Sequence, residues 1–382
     1  MIHLRNRIRW LLPVLLLLAL PATGDEVPEP PEVEGHSAIL MDVHSGRVLA
    51  SQGKSEAWPP ASLAKLMTLY TAFSALEEGL IAPDDKVRVS EEAWSTKGSR
   101  MFLEAGNEVP LKRILKGIAV KSGNDASVAL AEHVAGSERA FVELMNEHAR
   151  ELGLEDTRFA NATGLPAKGM KTTARDMAHL AAALIRDFPD RYSMFSVRKM
   201  THNDVTQYNR NRLLWWDETV DGLKTGHTEA AGYALVASAK REGMRLISVV
   251  MGTDSERERA KESQELLDYG FQHFRTFKLY EAGEPLHDVR VWKGDRDHVE
   301  VALPQDLYVT LPQDQRDRLE VTLDFTTPLT APVTQGSDVG RLTATLEDRT
   351  LATAPLTTLE EVPPGSFFRR ALDSFRAWFT TE

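Results

Sequence analysis

Residues 232–274 constrain the fold more than any other stretch of the chain. Gly232 to Lys240 and Met244 to Met251 are strand-forming runs on either side of Arg241-Glu242-Gly243, the pattern of an antiparallel hairpin. A helical stretch from about Glu256 to Phe274 follows directly. Ser37 to Asp42 and Arg47 to Ser51, flanking His44-Ser45-Gly46, form a second hairpin near the start. Between the hairpins the spacing turns helical. Leu63, Leu66, Met67, Tyr70, Phe73 and Leu76 share a face over 62–78, with Gly79 as the stop. Further helices are expected over 124–135, 138–152 and 173–187, the last opened by Thr173 and closed before Pro189. Strand, helices, strands and a final helix predict an α+β domain over 36–280, with an antiparallel sheet covered by helices.

Beyond Tyr280 the texture changes. Val289 to Trp292, Val299 to Leu303, Leu307 to Leu311 and Leu319 to Phe325 are short β-rich runs between Pro, Gly and Asp turns, so 281–360 reads as a small all-β domain. Val362-Pro363-Pro364-Gly365 is a linker within a C-terminal segment, 361–382. Its tail is amphipathic: Phe367, Phe368, Ala371, Leu372, Phe375, Trp378 and Phe379 fall on one helical face, opposite Arg369, Arg370, Asp373 and Arg376. Such a stripe serves either a helix docked on its own protein or a helix lying in the headgroup plane of an anionic membrane.

The N-terminus bears on that choice. Arg5, Arg7 and Arg9 precede the apolar run Trp10 to Leu20 and a Pro-Ala-Thr-Gly stretch, the layout of an export signal over 1–24. The run is shorter than the roughly 20 residues that span a bilayer. Together, signal and tail favour an exported protein held peripherally, through 366–382, at the periplasmic face of the cytoplasmic (inner) membrane. Residues 25–35, rich in Pro and acids, are expected to be a flexible lead-in.

Charge and motif absences narrow the chemistry. The 45 Lys and Arg against 56 Asp and Glu leave a net charge of -11, the opposite of a nucleic-acid footprint. With no cysteine, thiol catalysis and disulfides are excluded. The metalloprotease, P-loop, dinucleotide and nucleophile-elbow patterns are all missing, so no metal or cofactor is expected. His133, His148, His179, His202, His273, His287 and His298 are scattered without ligand spacing, Asp84-Asp85 reads as a charged loop, and the tryptophans as core, interface or anchor.

What remains is serine and lysine. Ser-x-x-Lys occurs three times, as Ser51/Lys54, Ser62/Lys65 and Ser196/Lys199. The first lies in a strand end and turn and the third in a charged stretch past Pro189. Only Ser62/Lys65 opens a periodic helix, where the amine, one turn on, reaches the hydroxyl and the helix start favours negative charge. Two companions follow in order: Ser122-Gly123-Asn124 and Lys224-Thr225-Gly226.

This ordered set resembles the signature of penicillin-binding proteins and class A β-lactamases. The chain as a whole is similar to the low-molecular-mass penicillin-binding proteins that are D-alanyl-D-alanine carboxypeptidases. The likeness extends through Ala-Ser-Leu-Ala-Lys-Leu-Met-Thr (61–68), Lys-Ser-Gly-Asn-Asp-Ala (121–126), Asn-Arg-Asn (209–211) and Asp-Gly-Leu-Lys-Thr-Gly-His-Thr (221–228) to the β-domain and tail. It implies a β-lactamase/transpeptidase-like domain that trims peptidoglycan stem peptides and is acylated by β-lactams, with a part in cell-wall biogenesis and cell shape.

The resemblance also implies roles. Ser62 would be the nucleophile, Lys65 its base, and Ser122 a proton relay. Asn124 would orient Lys65 and the substrate amide. Lys224 would lower the Lys65 pKa and attract the terminal carboxylate. Backbone N–H groups of Ser62 and His227 would form the oxyanion hole, Thr225 and Gly226 would let substrate pair along the strand, and Arg210 and Arg259 would lie near the carboxylate pocket. A β-lactamase would need a deacylating Glu; the nearest string, Glu143-Leu144-Met145-Asn146, has the wrong spacing. A sensor or scaffold without turnover is the other alternative. Preference among carboxypeptidase, endopeptidase and transpeptidase chemistry, and oligomeric state, are not legible.

Overall fold

The computed structural model describes residues 27–326 and 328–380. The signal reading, residues 1–24, lies outside them. A five-stranded sheet, wholly antiparallel, runs in the order Val48–Gln52, Ser37–Asp42, Met244–Thr253, Gly232–Arg241, Val220–Thr228. The central strands are buried on both faces, so they read as near-continuous apolar runs. Glu256–His273 covers one face, packing with Leu40, Leu235, Leu246 and Val250. Helices between Lys65 and Tyr192 cover the other.

At the heart of that second layer is Lys65–Glu77, ten of whose thirteen residues are buried, as expected of a helix that is apolar nearly all round. It is ringed by Leu111–Lys121, Asn124–Ala135, Glu138–Glu151 and Ala174–Asp187. Ser137, Thr173 and Ser255 cap their helices by accepting from the N–H three residues on. Each such cap contributes about 1 kcal/mol.

Two expectations change. Residues 27–35 are not a loose lead-in: Val27 and Val33 pack into the core under the last helix, Glu262 Oε1 accepts from Glu34 N at 3.0 Å, and Gln52 Nε2 donates to the carbonyls of Val33 and Gly35. Apolar residues spaced among the prolines supply the burial that composition obscured. Further on, Phe274–Tyr280 pairs with Leu307–Pro312, so the β-rich part begins at Phe274 rather than after Tyr280.

That part holds a six-stranded sheet with its own core of Val289, Val301, Leu342 and Leu356. It is tied to the first domain where Thr276 Oγ1 donates to Asp42 Oδ2 at 2.8 Å and Ser45 Oγ meets Thr310 Oγ1 at 2.6 Å. The tail forms the helix Phe367–Thr380. It docks by its polar side: Asp373 is buried and accepts from Lys293 N at 2.8 Å, and Arg369 pairs with Asp297 at 2.7 Å. Phe367, Phe368, Leu372 and Phe375 are left exposed. The side chains of Arg376, Trp378 and Phe379 lie outside those described. No helix among the described residues is long and apolar enough to cross a membrane.

Candidate active site

Ser62 lies in the 3-10 turn Ala61–Ala64, which runs straight into Lys65–Glu77. An N–H in the first turn of a helix has no intrahelical acceptor, so Ser62 joins a hydroxyl to an available donor. Lys65, one turn on, is wholly buried; its Nζ lies 3.1 Å from Ser62 Oγ and also donates to the Thr163 carbonyl. Burial, and then the nearby charge of Arg210, bring the Lys65 amine down to about 7. At neutral pH a large fraction is therefore unprotonated and able to accept the serine proton.

The Thr163 carbonyl belongs to a loop that Asn161 folds. Its Oδ1 accepts from Thr163 Oγ1 at 2.9 Å and Gly164 N at 2.7 Å, and its Nδ2 donates to Leu165 O at 2.9 Å. Thr68 Oγ1, donating to Ala162 O at 2.7 Å, fastens the loop to the serine helix.

Ser122 ends Leu111–Lys121 in a left-handed conformation, φ 64°, which turns its side chain into the cleft. Its buried Oγ has no hydrogen-bond partner among the described residues, and neither has Asn124 Oδ1. The Asn124 amide instead donates to Lys97 O at 2.7 Å, so Asn124 holds the 97–103 loop and not Lys65. Asp125 completes that anchorage, accepting from Met101 N at 2.8 Å and Leu103 N at 3.0 Å.

Val220–Thr228 is the edge of the sheet and brings Thr225, Gly226 and His227 to the cleft. A Cβ on Gly226 would meet Pro60 O and Leu63 Cγ at 3.2 Å, so glycine lets the edge strand close on the serine turn. An open edge can pair with an extended peptide. His227 stacks on Tyr233 at 4.0 Å. Lys224 is buried just behind, its Nζ donating to Thr225 O at 3.1 Å. Burial, then Lys65, Arg210 and Arg259, hold its amine well below the ordinary lysine value. Lys65, Lys224 and Arg210 thus form one coupled group of cations, in which each charge disfavours protonation of the buried lysines.

Arg210 is presented by its neighbours: Asn209 Nδ2 donates to Val197 O and Asn211 Nδ2 to Gly222 O at 2.9 Å, while Arg210 itself has no ion-pair partner among the described residues. Arg259, buried and lowered to about 10 by that burial, donates to Gly226 O at 3.0 Å. The cleft between these groups holds about 370 Å³. The carboxylate that lines it is Glu256, which pairs with Arg212 at 3.4 Å and lies 3.7 Å from Arg259.

All ten residues picked from the sequence thus gather around one cleft. The other two Ser-x-x-Lys strings do not: Ser196 Oγ bonds Ser193 O, and Ser51 ends an exposed strand edge. Glu143 pairs with Arg139 on an exposed helix face, and Asn146 supports Phe159. Missed from the sequence were Asp125 as an anchor and the Asn161–Leu165 loop, whose Asn-Ala-Thr-Gly turn chemistry was the available signal.

Fold and site together define a serine acyl-transfer enzyme whose base is a lysine. Comparison with known proteins narrows this. Residues 25–255 match the D-alanyl-D-alanine carboxypeptidase family model, and 274–364 match that of the penicillin-binding protein 5 C-terminal domain. The chain is 41% identical over 365 residues to the D-alanyl-D-alanine carboxypeptidase DacA of Escherichia coli (strain K12), covering 92% of this chain and 91% of that protein. To DacF of Bacillus subtilis (strain 168) it is 37% identical over 340 residues, 87% of each. Among solved structures, penicillin-binding protein 5 from Haemophilus influenzae superposes with a TM-score of 0.85 at 39% identity, covering 88% of this chain and 99% of that one. The chain belongs to the D-alanyl-D-alanine carboxypeptidase family and is a serine carboxypeptidase.

Proposed function

We propose that this enzyme removes the terminal D-alanine from peptidoglycan stem peptides ending in D-Ala-D-Ala, through an acyl-enzyme on Ser62. The observation that carries the reading is the 3.1 Å Ser62–Lys65 contact with an amine at about 7. Ser62 Oγ attacks the carbonyl of the penultimate D-alanine as Lys65 takes its proton. The developing oxyanion faces the N–H groups of Ser62 and His227. The C–N bond then breaks, and the departing amine receives the proton from Lys65 by way of Ser122 Oγ. Water, deprotonated in turn by Lys65, frees the shortened peptide.

Arg210, Lys224, Thr225 and Arg259 hold the terminal carboxylate, Asn124 the substrate amide, and the strand at Gly226 the extended backbone. β-Lactams acylate the same serine. With Glu256 tied to arginines, the cleft offers no free carboxylate to speed deacylation, which favours a peptidase over a β-lactamase. The exposed aromatic face of the tail helix supports peripheral attachment to an anionic membrane after export, at the periplasmic face of the inner membrane. Trimming pentapeptides there limits cross-linking and so contributes to cell-wall biogenesis and cell shape.

The test is D-alanine release from a peptide ending in D-Ala-D-Ala. Wild type should release it and Ser62→Ala should not; no release by wild type, or equal release by the variant, contradicts the reading.

A further inference from the structure

One carboxylate stands among the cations of the cleft and has no part in the bond-making steps. Glu256 opens the helix Glu256–His273 and lines the cleft together with Arg210 and Arg259. Its Oε2 accepts a long hydrogen bond from Arg212 Nη2 at 3.4 Å, while its Oε1 lies 3.7 Å from Arg259 Nη2, too far for one. Glu256 is thus bonded to Arg212 and held to Arg259 by charge alone. The two arginines differ in freedom. Arg259 is fixed: it is buried, its Nη1 donates to Gly226 O at 3.0 Å, and its guanidinium lies 5.4 Å from the centre of the Tyr233 ring. Its Nη2 is buried and makes no hydrogen bond among the described residues. Leaving such a donor unpaired is costly, and a carboxylate is the group that best satisfies it. Arg212 and Glu256, by contrast, have side chains 48% and 43% exposed, so that pair is free to turn towards solvent at little loss.

Substrate brings a second carboxylate to the same cations. Arg259 has one donor left to offer it, and Glu256 leans on that donor. We infer that Glu256 is a resident counter-charge that sets the affinity of the carboxylate pocket: in the free enzyme it leans on Arg259, and it withdraws onto Arg212 when the C-terminal carboxylate of a substrate arrives. Glu256 touches none of the reacting atoms, so it acts on binding and leaves the bond-making steps alone. Two carboxylates about 4 Å apart repel by roughly fivefold in affinity even at the dielectric of water. The enzyme accordingly holds substrate more loosely than its arginines alone would. The same penalty falls on a β-lactam, through its own carboxylate, and spares an uncharged ligand. The inference rests on the carboxypeptidase reading of Ser62, which supplies the terminal carboxylate.

The full chain should be compared with Glu256→Gln and Glu258→Gln. Glu258 lies in the same helical turn and accepts from Asp254 N at 3.0 Å, but it does not line the cleft, so its variant carries the same change in net charge. On a peptide ending in D-Ala-D-Ala, Glu256→Gln should lower KM about fivefold and keep kcat within about twofold. Its acylation by benzylpenicillin should speed up by a similar factor, and its acylation by the uncharged methyl ester of that drug should not change. Glu258→Gln should match wild type in all three. An unchanged or raised KM in Glu256→Gln, an equal gain with the methyl ester, or the same gain in Glu258→Gln would overturn the inference and leave the carboxypeptidase standing. Failure of wild type to release D-alanine would instead remove the carboxypeptidase reading, and the contrast between the drug and its ester would then decide the role of Glu256 by itself.

Discussion

The backbone of Gly164 lies so close to that of Ala61 that a Cβ at 164 would come within 1.8 Å of the Ala61 carbonyl oxygen. The loop that receives the Lys65 amine and the turn that carries Ser62 are therefore in direct backbone contact, and neither can shift without the other.

Gly164→Ala should break this contact. Gly164 also has φ near +80°, but Gly169 has φ near +78° in open space and so isolates the conformational part. Gly169→Ala should cost about 1 kcal/mol and leave activity unchanged. Gly164→Ala should cost at least about 2 kcal/mol and abolish most acylation, because the clash is with backbone that cannot rotate away. Equal melting temperatures and equal activities for the two variants would show that the contact does not matter.

The Arg210 charge should be visible in a pH profile. With Lys65 near 7, kcat/KM should fall about tenfold per pH unit on the acid side of neutrality. Arg210 lowers the Lys65 value, so Arg210→Ala should move that acid limb to higher pH, and Arg210→Lys should leave it nearly in place. A limb that stays put in Arg210→Ala would show that Arg210 does not set the Lys65 value and leave burial and the Lys224 charge as its causes.

How much of this was legible in the sequence depended on the range of the interactions involved. The helix over 124–135 was read to the residue, since its spacing and its Gly136 stop are local. Ser62, Lys65 and the ordered companions were legible because chemistry fixes residue type at short spacing. Leu111–Lys121 was not picked out although its pattern is local and legible: Leu111, Ile114, Leu115 and Ile118 carry helical spacing on the buried face, with Lys112, Arg113 and Lys116 on the other. Asp125 gave no sign of its three backbone partners, since the N–H groups of Met101 and Leu103 reach it from across the fold. Trp94, Trp215 and Trp216 stand exposed, which removes the core from the three places expected for them, core, interface or anchor.

The tail helix should bind anionic vesicles through its aromatic face. None of the described side chains of 366–375 belongs to the β-domain's apolar core, so removing residues 366–382 should leave that domain folded. The truncated protein should stop co-sedimenting with vesicles of anionic lipid while keeping full activity on a short peptide. Phe368→Asp, at an exposed position, should weaken binding on its own. Undiminished sedimentation of the truncated form would reject the membrane reading.

Covalent capture of the nucleophile tests the central claim most directly. Intact-mass measurement after brief exposure to a penicillin should give a single adduct of the drug's mass, mapped by digestion to the peptide bearing Ser62 and absent from Ser62→Ala and Lys65→Ala. An adduct on another serine, or one that persists at full rate in Lys65→Ala, would contradict a Ser62 acyl-enzyme activated by Lys65.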